Sequence, residues 1–237
     1  MPPSIPSVTD NPKKLNVDLT INVFGNPVTN DTVKKLFPGK EDITNRDRAY
    51  VAYNLKDDDK KQEVAVDYAV RLKYLENIDA DKAVTVCVFY NATGVTIELF
   101  KEEDFNGGAT VGQGYPREIQ NGQWAAFLYV GSHGAVVYRG QHELHDCAWL
   151  HAWHNLGSNH RKSVFTEIQK PDHYENDDVL TSLKSWTNVD KDSWNTGVGC
   201  YSAASIIEVK GFPDKYTGIM TLEGIPPSPI VTKYSYD

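Results

Sequence analysis

The chain has 237 residues and a formal net charge of −8. That balance lacks the basic footprint of a nucleic-acid binder, and no lysine/arginine run reads as a polybasic membrane patch. No stretch of about 18 apolar residues reads as a transmembrane helix.

Met1–Ser7 has no positive region followed by an apolar one, so no secretory signal is expected there. Three cysteines, Cys87, Cys147 and Cys200, form no Cys-x-x-Cys pair. A disulfide framework is therefore not expected, and a reducing, cytoplasmic setting is.

Residues 1–16 are rich in Pro, Ser and Asn and read as a flexible arm. Residues 17–82 read as a mostly helical segment, after a short edge strand within Val17–Phe24 and a turn at Gly25-Asn26-Pro27. Thr29 or Asn30 caps a first helix with Val33, Leu36 and Phe37 on one side, stopped by Pro38-Gly39. Thr44 opens a second, with Asp47 three residues on as a capping-box variant. In the third, Asp57–Asp59 place negative charge at the positive end of the helix dipole. Val64, Ala65, Tyr68, Ala69, Leu72 and Leu75 then follow helical spacing, with Asp67 and Arg71 paired on the opposite side.

At Ala83 the period becomes two-fold, and residues 83–237 read as a β-sandwich domain. Val84–Tyr90 is apolar on both faces, which suits a central strand. Asn91–Gly94 turns the chain into a partner strand with Val95, Ile97 and Leu99 on one face. Phe105–Gly114 is glycine-rich but precedes neither a Lys-Ser/Thr pair nor a helix start, so it does not read as a phosphate cradle. Asn121-Gly122 marks a tight turn. Ala125–Val130 and Ala135–Gly140 flank Gly131-Ser-His-Gly134, which predicts a β-hairpin. Cys147–Trp153 and Ser163–Gln169 are further strands, Pro171–Asn195 is a polar loop region holding Trp186 and Trp194, and strands close the chain at Val198–Lys210, Tyr216–Glu223 and Ile230–Tyr236. The fold class is mainly β (α+β): an antiparallel β-sandwich with a helical N-terminal segment.

Six of the seven histidines fall between His133 and His160. Imidazole and thiolate are ligands for zinc or copper, which makes His142, His145, His151 and His154 candidate ligands. On a strand, residues i and i+3 point to opposite faces, so each pair converges only in a turn or helix. No cofactor is the expectation, and zinc or copper is the alternative. His142-Glu-Leu-His145 is one residue short of a metalloprotease motif, and no Gly-x-Ser-x-Gly occurs. His151, His145 and Cys147 are the candidate catalytic groups. In a regular strand His151 shares a face with Cys147, Trp149 and Trp153, flanked by rings and held neutral, while His154 lies opposite. Loss of His151 should then matter more than loss of His154. Trp149, Trp153, His151, Tyr115 and Trp124 are the candidate ligand-binding set, as stacked aromatics fill a core or line a glycan or lipid-headgroup site.

Several stretches together resemble the small, 23 kDa-type jasmonate-induced proteins of plants. They are Tyr90-Asn-Ala-Thr-Gly94, Tyr115-Pro-x-x-Ile119-Gln-Asn-Gly-Gln-Trp124-x-Ala-Phe127, Gly134-Ala-Val-Val-Tyr-Arg139, Cys147-x-Trp149-Leu, Phe165-Thr-Glu-Ile168 and Asp172-His-Tyr174. The likeness runs from about Val23 to the C-terminal strands. It implies a stress- and hormone-induced protein without established enzymatic activity, and it carries over no catalytic residue. Gly134-Ala-Val-Val-Tyr138, followed by Trp153-His-Asn155-x-Gly157-Ser-Asn159, is similar to a strand and loop of aegerolysin- and actinoporin-like β-sandwiches, which bind membrane lipids. Leu156 stands before Gly157, within the loop where those proteins carry a Pro-aromatic pair. The resulting expectation is a plant stress and defence protein that binds a small molecule, glycan or lipid headgroup through exposed aromatics, without catalysis. The alternative is an enzyme of specialised metabolism using the histidines between His142 and His160.

Overall fold

The computed structural model describes residues 19–79, 81–142, 145–156, 162–183, 190–209 and 212–226. The N-terminal arm, Trp186, His160 and the strand expected at Ile230–Tyr236 lie outside the described residues.

The N-terminal segment holds β1 (Val23–Phe24) and three helices: α1 (Asn30–Leu36), α2 (Asn45–Asn54) and α3 (Lys61–Leu75). Thr29 caps α1, and Thr44 caps α2 in a reciprocal box. There the Asp47 N–H donates to Thr44 Oγ1 at 3.2 Å and the Thr44 N–H to Asp47 Oδ2 at 2.9 Å. The predicted stripe of α3 is inward-facing at Ala65, Tyr68, Ala69 and Leu72.

Two sheets follow. The first contains β1, β2 (Val84–Ala92), β4 (Ala109–Val111), β6 (Trp124–Val130), β10 (Asp192–Gly197), β11 (Cys200–Ile207) and β12 (Asp214–Leu222). Its order is β1-β6-β2-β12-β11-β10, with β4 also paired to β6. The second contains β3 (Ile97–Phe105), β5 (Glu118–Ile119), β7 (His133–His142), β8 (His145–Asn155) and β9 (Lys162–Gln169), in the order β5-β3-β7-β8-β9. All pairings are antiparallel except β2 with β12.

Phe89, Phe127, Trp149, Trp153 and Tyr216 interlock between the sheets. Helices α1 to α3 pack on the outer face of the first sheet over Tyr90, Trp124 and Leu128. Val137 and Leu150, on the outer face of the second, lie under Tyr174 and under Leu180 of α4 (Asp177–Ser182).

Four expectations need correction. The runs around Gly131-Ser-His-Gly134 do not form a hairpin, because β6 belongs to the first sheet and β7 to the second. Gly131 sits at φ +143°, and a Cβ there would lie 2.6 Å from Gly108 Cα. The turn signal was real, but β6 is buried on both faces, so alternation could not tell reversal within a sheet from passage between sheets. The same reason separates β2 from β3, which were read as partners. Pro171–Asn195 also contains a 3₁₀ turn at Pro171–Glu175, helix α4 and the start of β10. Finally, Cys147 and Cys200 are joined by a disulfide across a separation of 53 residues, and Cys87 is free and buried.

Strand β9 would be an open edge, and β10 covers it from the other sheet. The Val164, Thr166 and Ile168 N–H groups donate to Asp190 O, Ser193 Oγ and Asn195 Oδ1 at 3.0, 3.3 and 3.1 Å. This satisfies donors that an edge strand otherwise leaves exposed.

At the other flank two asparagines join both sheets to the helices. Asn91 Nδ2 donates to Val95 O and Ile119 O, both at 2.7 Å, and its Oδ1 accepts from the Thr93 N–H at 2.9 Å. Asn121 Oδ1 accepts from the Gly94 N–H at 2.9 Å, while its Nδ2 donates to Val28 O at 2.9 Å and Arg48 O at 3.2 Å. Gly94 has φ +84°, and a Cβ there would meet Asn45 O at 2.0 Å, so α2 can dock only on a glycine. Asn121→Ala strands the buried Gly94 N–H and removes the hydrogen bonds to Val28 O and Arg48 O. It should therefore lower unfolding free energy by about 2–4 kcal/mol, measured by urea denaturation. A loss below about 0.5 kcal/mol, the usual range of a surface change, would show that the clasp does not hold the helices.

Candidate functional site

His151 lies on the inward face of β8 with Cys147, Trp149 and Trp153, as strand alternation required, and is fully buried. The Phe89 ring stands edge-on to it at 5.3 Å. Its hydrogen bonds fix its tautomer. The Thr166 hydroxyl donates to Leu150 O at 2.8 Å, so its oxygen must accept from Ser202 Oγ. With its proton thus committed, Ser202 Oγ accepts from His151 Nε2–H at 3.2 Å. Nδ1 is left as the acceptor for the Tyr216 hydroxyl at 2.8 Å. The run passes from β12 to β8, to β11 and to β9, and so crosses between the sheets. Burial pushes the His151 pKa down to about 3.

The other candidates scatter. Cys147 is bonded to Cys200 and buried, so it offers no thiolate nucleophile. His145 is exposed and faces His142 in register at the β7–β8 tip. At the far end of the same strands, His154 stacks on His133 with ring centroids 3.7 Å apart, and Ser132 Oγ lies 2.7 Å from His133 Nδ1. Burial and the neighbouring His154 bring the His133 pKa down to about 4, and burial lowers that of His154. The histidines therefore occupy the tip, the interior and the opposite end. Among the described residues, no three His, Cys, Asp or Glu side chains are grouped to hold a metal ion. Trp149, Trp153 and Trp124 are at most 1% exposed and Tyr115 is 8% exposed. The expected aromatic rim is thus core, because alternation assigns a face without saying whether that face is covered.

Among the described residues, two of the surface hollows differ sharply in chemistry. One, of about 410 Å³, is a groove on the outer face of the first sheet. Val86 and Lys215, register partners on β2 and β12, form its floor. Val66 and Val70, together with Gln62, Glu63 and Asp67, form the α3 wall, and Val209, Phe212 and Pro213 of the β11–β12 connection form the other. Phe212 is 54% exposed. Lys162 anchors the base of that connection, 3.3 Å from Asp214 and 3.4 Å from Glu208. Tyr74 and Leu75 at the end of α3, Ile207 at the end of β11 and Leu156 after β8 are exposed at this same end of the sandwich.

Val66 and Val70 lie beside the core-facing stripe of α3 and are not marked by its periodicity. Their signal was a pair of β-branched residues at i and i+4 on a partly exposed face, where helix propensity favours other residues. The second hollow, of about 840 Å³, is polar and lies beside the β7–β8 tip.

The titrating histidines yield a pH prediction. His133, His151 and His154 all have folded pKa values below the ordinary 6.5. The unfolded chain then binds more protons as pH falls below 6.5, so their contribution to stability is complete above that pH and is lost below it. His151 alone should lower unfolding free energy by about 2 kcal/mol between pH 7 and pH 5. Urea midpoints at the two pH values check this, and an unchanged midpoint would contradict a neutral, buried His151. At pH 7, His151→Ala should cost about 2–4 kcal/mol and His154→Ala under about 1 kcal/mol.

Comparison with known proteins bears on the fold and the family. The model for Nakanori-like proteins matches residues 24–210. The 23 kDa jasmonate-induced protein of Hordeum vulgare is 35% identical over 204 residues, 81% of this chain and 89% of that one. A jasmonate-induced protein homolog of Atriplex canescens is 36% identical over 83 residues, 32% of this chain and 44% of that one. The crystal structure of the lipid binding protein Nakanori superposes with a TM-score of 0.68 at 22% identity, over 84% of this chain and 98% of that one. At that identity the likeness establishes a shared fold. Together with the family match and the relative that spans most of the chain, it shows that this protein belongs to the Nakanori-like family, alongside the small jasmonate-induced proteins.

Proposed function

We propose that the protein is a non-catalytic lipid binder of a plant stress response, and that the groove between α3 and β12 receives the apolar part of the lipid. The single observation that carries this reading is the groove itself. Val66, Val70, Val209, Phe212 and Pro213 give its walls an apolar surface, with Gln62, Glu63 and Asp67 of α3 at its margin, yet it opens to solvent. Exposed apolar side chains gather at the same end of the sandwich, and such clusters mark contact surfaces. Lys215 at the floor, with Glu63 and Asp67 on the α3 side, offers charges of both signs to a zwitterionic headgroup. The structural neighbour is named for lipid binding, and the barley relative for induction by jasmonate. The interior cannot host the ligand, because rings and the His151 hydrogen bonds fill it.

The net charge of −8 gives no attraction to anionic membranes, so apolar contact should dominate and salt should matter little. No helix among the described residues is long and apolar enough to cross a membrane.

Co-sedimentation with vesicles of phosphatidylcholine, sterol and neutral plant sphingolipid tests the reading. Binding is expected to persist in about 0.5 M salt, where exposed charges are largely screened. It should fall at least about tenfold, roughly 1.4 kcal/mol, in both Val70→Asp and Phe212→Asp at unchanged melting temperature. Wild-type protein left in the supernatant, or full binding by both variants, would overturn it.

A further inference from the structure

The larger hollow lies at the opposite end of the sandwich from the groove and has different chemistry. Its floor is the outward face of the β7–β8 tip, where Gln141 and Asp146 are register partners and Arg139 lies two residues before Gln141. Glu98 of β3 borders one side, and Lys170, Asp172 and Glu175 border the other. The hollow is held in shape. Lys101 Nζ donates to Glu175 O at 3.0 Å and to Asp177 Oδ1 at 2.6 Å, which fixes the wall that carries Glu175 and Asp172. The Arg139 guanidinium packs over the Phe100 ring at 4.9 Å and stays 3.7 Å from Glu98. It is therefore oriented by stacking, and its N–H donors are beyond hydrogen-bond reach of that carboxylate.

We propose that this cleft is a binding site for a neutral or amino sugar. Guanidinium, carboxamide and carboxylate groups supply directed donors and acceptors side by side. A sugar hydroxyl both donates and accepts, and vicinal hydroxyls match such planar two-pronged groups. Four carboxylates face two cations in the lining, so the site repels a net anion such as free phosphate, sulfate or a sialylated glycan. An ammonium on the sugar is favoured by the same balance. The carboxylates are not grouped as a cation site, since no cluster of three metal-ligating side chains occurs among the described residues. The volume of about 840 Å³ falls within the range of small-molecule sites and suits one or two sugar rings. The inference does not rest on the lipid reading, because the two hollows share no residue.

The test is an array printed with neutral, amino-substituted, sialylated and sulfated oligosaccharides, followed by calorimetric titration of the strongest hit. The expected result is binding to neutral or amino-sugar spots and none to the acidic ones. Affinity should drop at least about tenfold, roughly 1.4 kcal/mol, in the Gln141→Ala/Asp146→Asn double variant, with melting temperature and vesicle binding as in wild type. Val70→Asp should bind the sugar like wild type, so failure of either site is read separately from failure of the other. An empty array, binding confined to sialylated or sulfated spots, or a hit unaffected by the double variant would each overturn the proposal.

Discussion

The structure turns on a directed run of hydrogen bonds from Tyr216 through His151 and Ser202 to Thr166, which ends on the Leu150 carbonyl. The run works in one protonation state. A charged His151 would present a second N–H to the hydroxyl that now donates to it, and that donor pair has no acceptor. Low dielectric makes the satisfied run strong and the broken one costly. Its members come from β12, β8, β11 and β9, so the two sheets are registered against each other as well as packed. Phe89, Phe127, Trp153 and Tyr216 close around it. A sandwich filled in this way holds no internal ligand, and recognition falls to the outside.

What the outside offers depends on the helices, and those depend on the Asn91–Asn121 clasp. The clasp sets α2 against Gly94, and Lys61 fixes the start of α3 by donating to Gly122 O at 3.3 Å. Lys61 is buried, and burial lowers its pKa despite the nearby Asp57, Asp58 and Asp59. Pinned at this end, α3 covers β6 and β2 but stops short of β12. The groove is the space that remains. The Cys147–Cys200 bond links the sheets near the polar tip, and restraint of the unfolded chain by such a loop is worth about 4 kcal/mol in the chain-entropy model. The apolar end is held instead by Lys162, Asp214 and Glu208, with Asn155 donating to Val84 O and Thr85 Oγ1.

Local physics was readable in the residues. Thr29 and Thr44 announced their caps, α3 its buried stripe, and the two-fold period of Val84–Tyr90 a strand buried on both faces. Alternation also put His151 inside and His154 outside. Relations between distant segments were not readable. Nothing near Gly131 says that β7 joins a different sheet, and nothing in Tyr216–Glu223 says that it runs parallel to β2. Cys147 and Cys200 are separated by 53 residues, and an odd cysteine count hid their pairing. Strand β10 reads Asp-Ser-Trp-Asn-Thr-Gly, polar because its side chains cap β9 and face solvent. Alternation put Trp149, His151 and Trp153 on one face of β8, but their burial depends on a second sheet that alternation cannot see, and Trp124 is covered instead by the helices. The groove escaped notice because it joins residues of α3 to a loop about 140 positions later, a juxtaposition that no local period encodes.

The central claim is that lipid is received on the outer face of the first sheet rather than within the sandwich or at its polar tip. Paramagnetic broadening of valine methyl resonances, with a nitroxide near the end of a lipid acyl chain in bicelles, locates the chain directly. The account predicts strong broadening at Val66, Val70, Val86 and Val209, and little at Val136 and Val164 in the core or at Val95 beside the polar cleft. Broadening centred on Val95, or none at the four groove valines, would contradict it.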